Sequence, residues 1–226
     1  MKRFINKAIF LFLAVLLALS FTACGGTDKE SKAPVPTASA VKDGVYTNGK
    51  YGFSMDYNNK NWAAIDNELL ADAEAKAEFM ECSVMTEDLL IEQLKSIECY
   101  FSYKHEETSG FKSNVNIVIL PDSDGTIFEM KNKDNVKYVE DNLIDTFESI
   151  GLGSELREES IMRKFGDTEY LVIQMSATAP GLELWMYQAS TIIDRNAITV
   201  TFASTPEIFD DVIAEIDNMI TSLKFY

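Results

Sequence analysis

Chemistry in this chain would have to come from a few side chains. Thr22-Ala23-Cys24 sets two small residues ahead of a thiol. A signal peptidase needs small side chains before the bond it cuts, because its pocket there is narrow. A cysteine just after that bond offers a thiol that can take a diacylglyceryl group. His105 is the only histidine. Any Ser-His-Asp or Cys-His site must use it, yet it stands between Lys104 and Glu106, and no G-x-S-x-G sequence accompanies it. An exposed strand-end residue is expected there. Zinc is poorly served, since one histidine and the separated Cys82 and Cys99 lack close ligand pairs. Asp122-Ser123-Asp124-Gly125 spaces carboxylates at i and i+2 before a glycine, as calcium loops do. Aligned on that glycine, the first ligand position is Leu120. The twelfth is Lys131, where a bidentate glutamate is required, so a plain turn after Pro121 is expected. No phosphate-cradling glycine loop is present. Among 36 acidic residues some pair must lie close, but no aromatic or asparagine cluster marks a sugar cleft around any one of them. No catalytic residue, metal ligand or cofactor is therefore expected, and Trp62 and Trp185 are expected in the core.

Cys24 is placed by what precedes it. Lys2, Arg3 and Lys7 give a positive start, and Ala8 to Phe21 follow without a charge. Those 14 residues span about 21 Å as a helix, short of a bilayer core of roughly 30 Å. The pattern is that of a secretory signal peptide. Phe21-Thr22-Ala23-Cys24 resembles the lipobox of bacterial lipoproteins, with Phe21 where leucine is usual. The resemblance implies cleavage between Ala23 and Cys24 and acylation of Cys24. Two or three acyl chains, at about 0.8 kcal/mol per buried CH₂, hold far more firmly than one. The expectation is a protein anchored to the extracytoplasmic face of a bacterial membrane without spanning it.

Loss of Lys2, Arg3 and Lys7 takes 20 basic residues to 17 against 36 acidic ones, a net charge of −19. Such a field excludes nucleic acid as a partner, because a basic footprint does most of that binding. It also disfavours lying flat on an anionic membrane. In an oxidising compartment Cys82 and Cys99 can form one disulfide, or they can pack as small buried thiols. Spacing does not choose between these, and a core of this size needs no staple.

Residues 1–23 are thus read as the signal peptide. Residues 24–44 are read as the lipidated cysteine and a flexible, disordered tether, small, polar and proline-containing, and 45–226 as a single α+β domain. Tyr51, Phe53, Met55 and Tyr57 alternate with polar or small residues, so a half-buried strand opens the domain, and Asn58 to Asn61 turn the chain towards Trp62. Helices are expected over Asp66–Phe79 and from a Thr86 cap through Leu94 and Ile97. Strands follow at Tyr100–Tyr103 and Val115–Leu120, with a loop around Gly110 between them. A helix begins at Asp134, with Val136, Val139, Leu143, Phe147 and Ile150 as its stripe, and stops at Gly151. Glu155–Lys164, Glu169–Ala177, Leu182–Ile193 and Ile198–Ser204 are expected as antiparallel strands joined by short turns. Leu182–Ile193 carries apolar residues on both faces, as a central strand covered on each side does. Thr205-Pro206-Glu207 then starts a final helix with a continuous apolar stripe from Ile208 to Leu223.

Tyr51-Gly52-Phe53-Ser54-Met55-Asp56-Tyr57 with Trp62, Asn114-Val115-Asn116-Ile117-Val118, and Ser222-Leu223-Lys224-Phe225 at the end of the last helix together resemble the PsbP/Mog-type fold. Members usually carry a proline after the first strand, where Asn58 stands here. The resemblance implies a mainly antiparallel sheet covered by helices and no enzyme, because that family is known for docking on larger partners such as photosystem II or the Ran GTPase. The expected function is a non-catalytic lipoprotein module docking on an envelope protein and held to the bilayer through acylated Cys24. A carrier or sensor of a small molecule or metal ion is the alternative, and an envelope hydrolase ranks last.

Overall fold

The computed structural model describes residues 39–66, 97–105, 113–120, 129–149 and 151–226. In chain order the elements are β1 (Ala40–Lys42), β2 (Val45–Asn48), β3 (Phe53–Asp56), β4 (Trp62–Asp66), β5 (Ile97–Tyr103), β6 (Asn114–Leu120) and α1 (Lys133–Ser149). They continue with β7 (Gly153–Leu156), β8 (Ile161–Phe165), β9 (Thr168–Ala179), β10 (Leu182–Ile193), β11 (Asn196–Ser204), α2 (Pro206–Ser222) and β12 (Lys224–Phe225). A small sheet runs β1-β2-β3-β12, and a large one runs β4-β5-β6-β11-β10-β9-β7, with β8 also on β9. Every described pairing is antiparallel.

The end of α1 and the start of α2 each have a local cause. Gly151, at φ +81°, donates its N–H to the Glu148 carbonyl, and Leu152 donates to that of Phe147. This is a Schellman closure, completed by apolar contact between Leu152 and Phe147 in one cluster. Thr205 caps α2 through its backbone alone: its carbonyl accepts from Ile208 and Phe209, and its side chain makes no cap bond. Pro206 takes the first helical position, as expected.

The large sheet has two unlike faces. On one, α2 lays Phe209, Val212, Ile216, Met219 and Ile220 over Val115, Ile117, Val200, Phe202 and Tyr187. On the other, α1 packs Leu143 and Phe147 with Leu171, Ile173, Met175, Leu184 and Met186. β10 supplies both clusters, Tyr187 to the first and Leu184 and Met186 to the second, so the two-faced reading of Leu182–Ile193 holds.

Five expectations change. The end of the presumed tether is β1, paired with β2 through a two-residue turn, Asp43-Gly44, with both φ positive (51° and 82°). That is the turn a tight hairpin needs, and a Cβ on Gly44 would also sit 2.9 Å from the Tyr57 carbonyl oxygen. The opening strand starts at Phe53 with Tyr51 in the preceding turn, and β2 comes before it. The single strand expected at Glu155–Lys164 is two, because β9 is 12 residues long and its edge is shared: β7 pairs with Met175–Thr178 and β8 with Thr168–Val172. Arg157 bridges the jog by donating its N–H to the Gln174 carbonyl. Finally, Lys224-Phe225 leaves the last helix to pair with β3, and Asp66 ends β4 rather than opening a helix.

The leader, Ala23, Cys24, the tether up to residue 38, the two expected helices between Asp66 and Ile97, Cys82, the Gly110 loop and the Asp122–Gly125 turn lie outside the described residues.

Candidate functional site

The face of the large sheet that carries α1 changes character along its rows. Residues directly opposite in antiparallel strands point to the same side. One such row runs Tyr100, Asn116, Thr201, Gln188, Ile173 across β5, β6, β11, β10 and β9. Towards β9 the face is apolar and belongs to the α1 cluster. Towards β5 it is polar, yet it stays buried: Asn114, Asn116, Thr199, Thr201, Gln188 and Ser190 are each at most 3% exposed.

Part of this polar floor is internally satisfied. Gln188 Nε2 donates to Ser190 Oγ at 3.3 Å, and Ser190 Oγ shares a hydrogen bond with Thr199 Oγ1 at 3.1 Å. The centre is not. Asn116 and Thr201 are both 0% exposed, and Asn116 Nδ2, Asn116 Oδ1 and Thr201 Oγ1 meet no hydrogen-bond partner among the described residues. They are cross-strand neighbours, so their Cβ atoms are about 5 Å apart. A buried polar group without a partner costs about 1–3 kcal/mol, against a total stability of roughly 5–15 kcal/mol for a domain.

The floor is also uncharged. The side chains named above on β5, β6, β10 and β11 are amides, hydroxyls and one phenol, with no carboxylate, ammonium or guanidinium among them. Glu98, 2% exposed, is steered elsewhere by a bulge, because Ile97 and Cys99 oppose the adjacent Val118 and Ile117 and leave Glu98 as the extra residue. Its carboxylate accepts from Lys50 Nζ at 2.8 Å and Asn48 Nδ2 at 3.4 Å, while its carbonyl accepts from Tyr46 Oη at 2.9 Å. Burial works to lower the Lys50 pKa, but the hydrogen bonds to Glu98 and Tyr51 and the Glu98 charge outweigh it, and the ammonium is held above its usual value.

The other polar clusters fasten elements together. Glu215 on α2 accepts from Trp62 Nε1 at 2.9 Å, Asn61 Nδ2 at 2.6 Å and Asn58 Nδ2 at 3.2 Å, pinning the β3–β4 turn to the helix. Arg163 on β8 forks onto Asp217 (2.6 and 3.3 Å), which also accepts from Tyr187 Oη at 3.1 Å. Burial first, then the Asp217 charge, pushes the Tyr187 phenol well up, and burial alone takes Tyr170 up to about 12.

His105 is exposed just beyond β5, where the sequence puts it, with Nε2 3.1 Å from Asn61 Oδ1 and its ring edge-on to Tyr103. Trp62 is wholly buried. Trp185 is half-buried, with the Arg157 guanidinium stacked 3.3 Å from its ring centre. Cys99 is buried on the α2 face, in the cluster with Ile117 and Phe202. Among the described residues no group of three or more His, Cys, Asp or Glu could hold a metal, and no helix is long and apolar enough to cross a membrane. The buried Asn116–Thr201 pair is what sequence reasoning missed. Its signal was there in Asn114-Val115-Asn116-Ile117 and Thr199-Val200-Thr201-Phe202, but a polar residue at every second position ordinarily marks a solvent-facing side.

No family model matches the chain, and no curated protein matches it. Among solved structures, the cyanobacterial PsbP protein CyanoP of Synechocystis sp. PCC 6803 matches with a TM-score of 0.54 at 16% identity, over 86% of this chain and all of that one. LpqN of Mycobacterium tuberculosis, described as involved in cell envelope biogenesis, matches at 7% identity with a TM-score of 0.48, over 76% of this chain and 82% of that one. At such identities the likeness is one of architecture alone. The chain has a PsbP-like α+β fold, built on antiparallel sheets with helices against them.

Proposed function

We propose that this chain is a lipid-anchored module of the bacterial cell envelope that works by holding a small molecule on the polar face of its large sheet. The observation that carries the reading is the Asn116–Thr201 pair, buried in the sheet with three polar atoms unmatched among the described residues. Folded proteins match nearly all such atoms, and exceptions call for an explanation such as a bound group. The pair is neutral and has no nucleophile–base geometry, so the proposed role is a carrier or sensor rather than an enzyme. Cys24, acylated, is the proposed anchor on the extracytoplasmic face.

Docking on an envelope protein is the second reading. It is favoured by β1, which has three exposed residues and an outer edge with no strand against it among the described residues. Such an edge can accept a strand from another chain.

The test is capture. The full-length protein is purified from its host, washed and denatured, and the released low-mass compounds are identified by mass spectrometry. A compound carried by the wild type and missing from Thr201→Val is the expected result. Equal recovery from both, or catalytic conversion of the compound by the wild type, refutes the reading. Alongside it, Cys24→Ala is expected to move the protein out of the membrane fraction, and retention there refutes the anchor.

A further inference from the structure

From the setting of Arg157, we infer that the α2 side of the large sheet carries a site for a small monocarboxylate with an apolar body, gripped through the outer edge of the Arg157 guanidinium. This site is separate from the polar floor. Arg157 opposes Gln174, whose β10 neighbour Tyr187 packs under α2, whereas Asn116 and Thr201 point to the α1 side.

The guanidinium is held in place but not paired. Arg157 is half-buried, with its guanidinium carbon 3.3 Å from the Trp185 ring centre and 4.9 Å from that of Phe209. Its backbone is fixed by the 2.9 Å bond to the Gln174 carbonyl. Stacking orients a guanidinium and leaves its N–H groups unspent. Nη1 is closed off from water without an acceptor, while Nε and Nη2 are not among the buried unpartnered atoms. The edge those two nitrogens share therefore faces outward. It presents two parallel N–H groups, the pattern that matches the two oxygens of a carboxylate. Arg163 shows what the chain does with an arginine that only fastens. It too stacks, 4.8 Å from the Phe165 ring centre, but Asp217 fills its fork. The chain has 36 acidic residues, yet the ion pairs among the described residues use Lys50, Lys131, Lys137 and Arg163, and none uses Arg157.

The surroundings set the ligand class. Glu158 accepts from Gln174 Nε2 at 2.9 Å and Glu183 from Trp185 Nε1 at 2.8 Å, so both brace the residues around Arg157 instead of pairing with it. With those charges near the fork, a multiply charged phosphate is disfavoured against a single carboxylate. Ile161 opposes Val172, two residues along β9 from Gln174, and so follows Arg157 on the same face about 7 Å away. It is 50% exposed. A carboxylate on the fork with hydrocarbon lying along Ile161 suits both, and neither contact requires the sheet to open.

The full-length protein, in a neutral detergent, is titrated with benzoate against benzamide, hexanoate against hexanamide, and phenyl phosphate. Calorimetry reads binding, and so does tryptophan fluorescence, since Trp185 is one of two tryptophans. At least one carboxylate is expected to bind saturably, with its amide at least tenfold weaker. Arg157→Met should weaken that carboxylate at least tenfold. Arg157→Lys, which keeps the charge but loses the paired N–H groups, should weaken it severalfold, and it serves alone if the methionine variant fails to fold. Thr201→Val should bind the carboxylate as the wild type does, and a loss there overturns the claim of a separate site. Phenyl phosphate that binds as tightly as benzoate, and is lost in Arg157→Met, overturns the carboxylate class. Unchanged affinity in both Arg157 variants, or no saturable binding of either carboxylate, overturns the inference at its root.

Discussion

Replacing Thr201 with valine exchanges a hydroxyl for a methyl group and leaves the shape of the side chain intact. In the ligand-free protein the hydroxyl is fully buried and matched by nothing in the sheet. Its removal should recover the desolvation penalty of an unpaired polar group, about 1–3 kcal/mol. β-Branching is kept, so strand preference changes little. For a chain of this size each kcal/mol moves the midpoint by about 2–4 °C, so the variant should melt roughly 2–12 °C higher. Thr191→Val is the internal control. Thr191 is 1% exposed, but its Oγ1 donates to the Glu169 carbonyl at 2.8 Å, so the same exchange there should cost about 1 kcal/mol. Urea denaturation followed by tryptophan fluorescence reads both, and an unchanged slope shows that the difference lies in stability. A Thr201→Val protein less stable than wild type would refute the reasoning, for the hydroxyl would then have a partner worth more than its burial. A variant more stable and less able to bind is the signature expected of a position kept for use rather than for folding.

Lys50→Met should cost about 1–3 kcal/mol by leaving the Glu98 carboxylate buried without its cation, less than a fully buried pair because Lys50 is 58% exposed; adding Glu98→Leu should restore most of it in a denaturation cycle. Glu215→Ala should cost about 2–3 kcal/mol by stripping the acceptor from buried Trp62 Nε1, while Glu215→Gln, which keeps a carbonyl oxygen, should lose less, as melting curves would show. In alkali, folding holds Tyr170 protonated up to about 12 against roughly 10 when unfolded, with Tyr187 raised in the same direction. That stabilisation is whole below pH ~10 and is lost as pH rises through ~12. The midpoint should therefore fall over this window, with Tyr170→Phe flattening the slope by up to about 3 kcal/mol, and a pH-independent midpoint from 9 to 12 would contradict it.

What the sequence disclosed was periodicity with local punctuation. The α2 stripe, the two-faced β10 and the glycine stop after α1 follow from spacing and caps within a few residues, and each stands where those signals put it. β1 was missed although Asp43-Gly44 is a strong hairpin signal, because the small and polar residues before it outweighed the turn in the reading. The split of residues 155–164 into β7 and β8 was out of reach, since it depends on the length of a strand further down the chain. The polar floor failed for a similar reason. Whether Asn116 faces water or the interior depends on what packs over β6, and no local pattern encodes that.

The hairpin of β1 and β2 has a mechanical consequence. Any load carried into the domain from residues before Ala40 arrives first at three exposed residues held by three register pairs. These can peel away one after another while the aromatic cluster around Tyr46 and Phe53 stays shut. Releasing residues 40–44 lengthens the line by about 17 Å, at up to ~3.4 Å per extended residue. The sheet thus has slack wound into its margin, a stretch that yields to a tug before anything beneath it is strained.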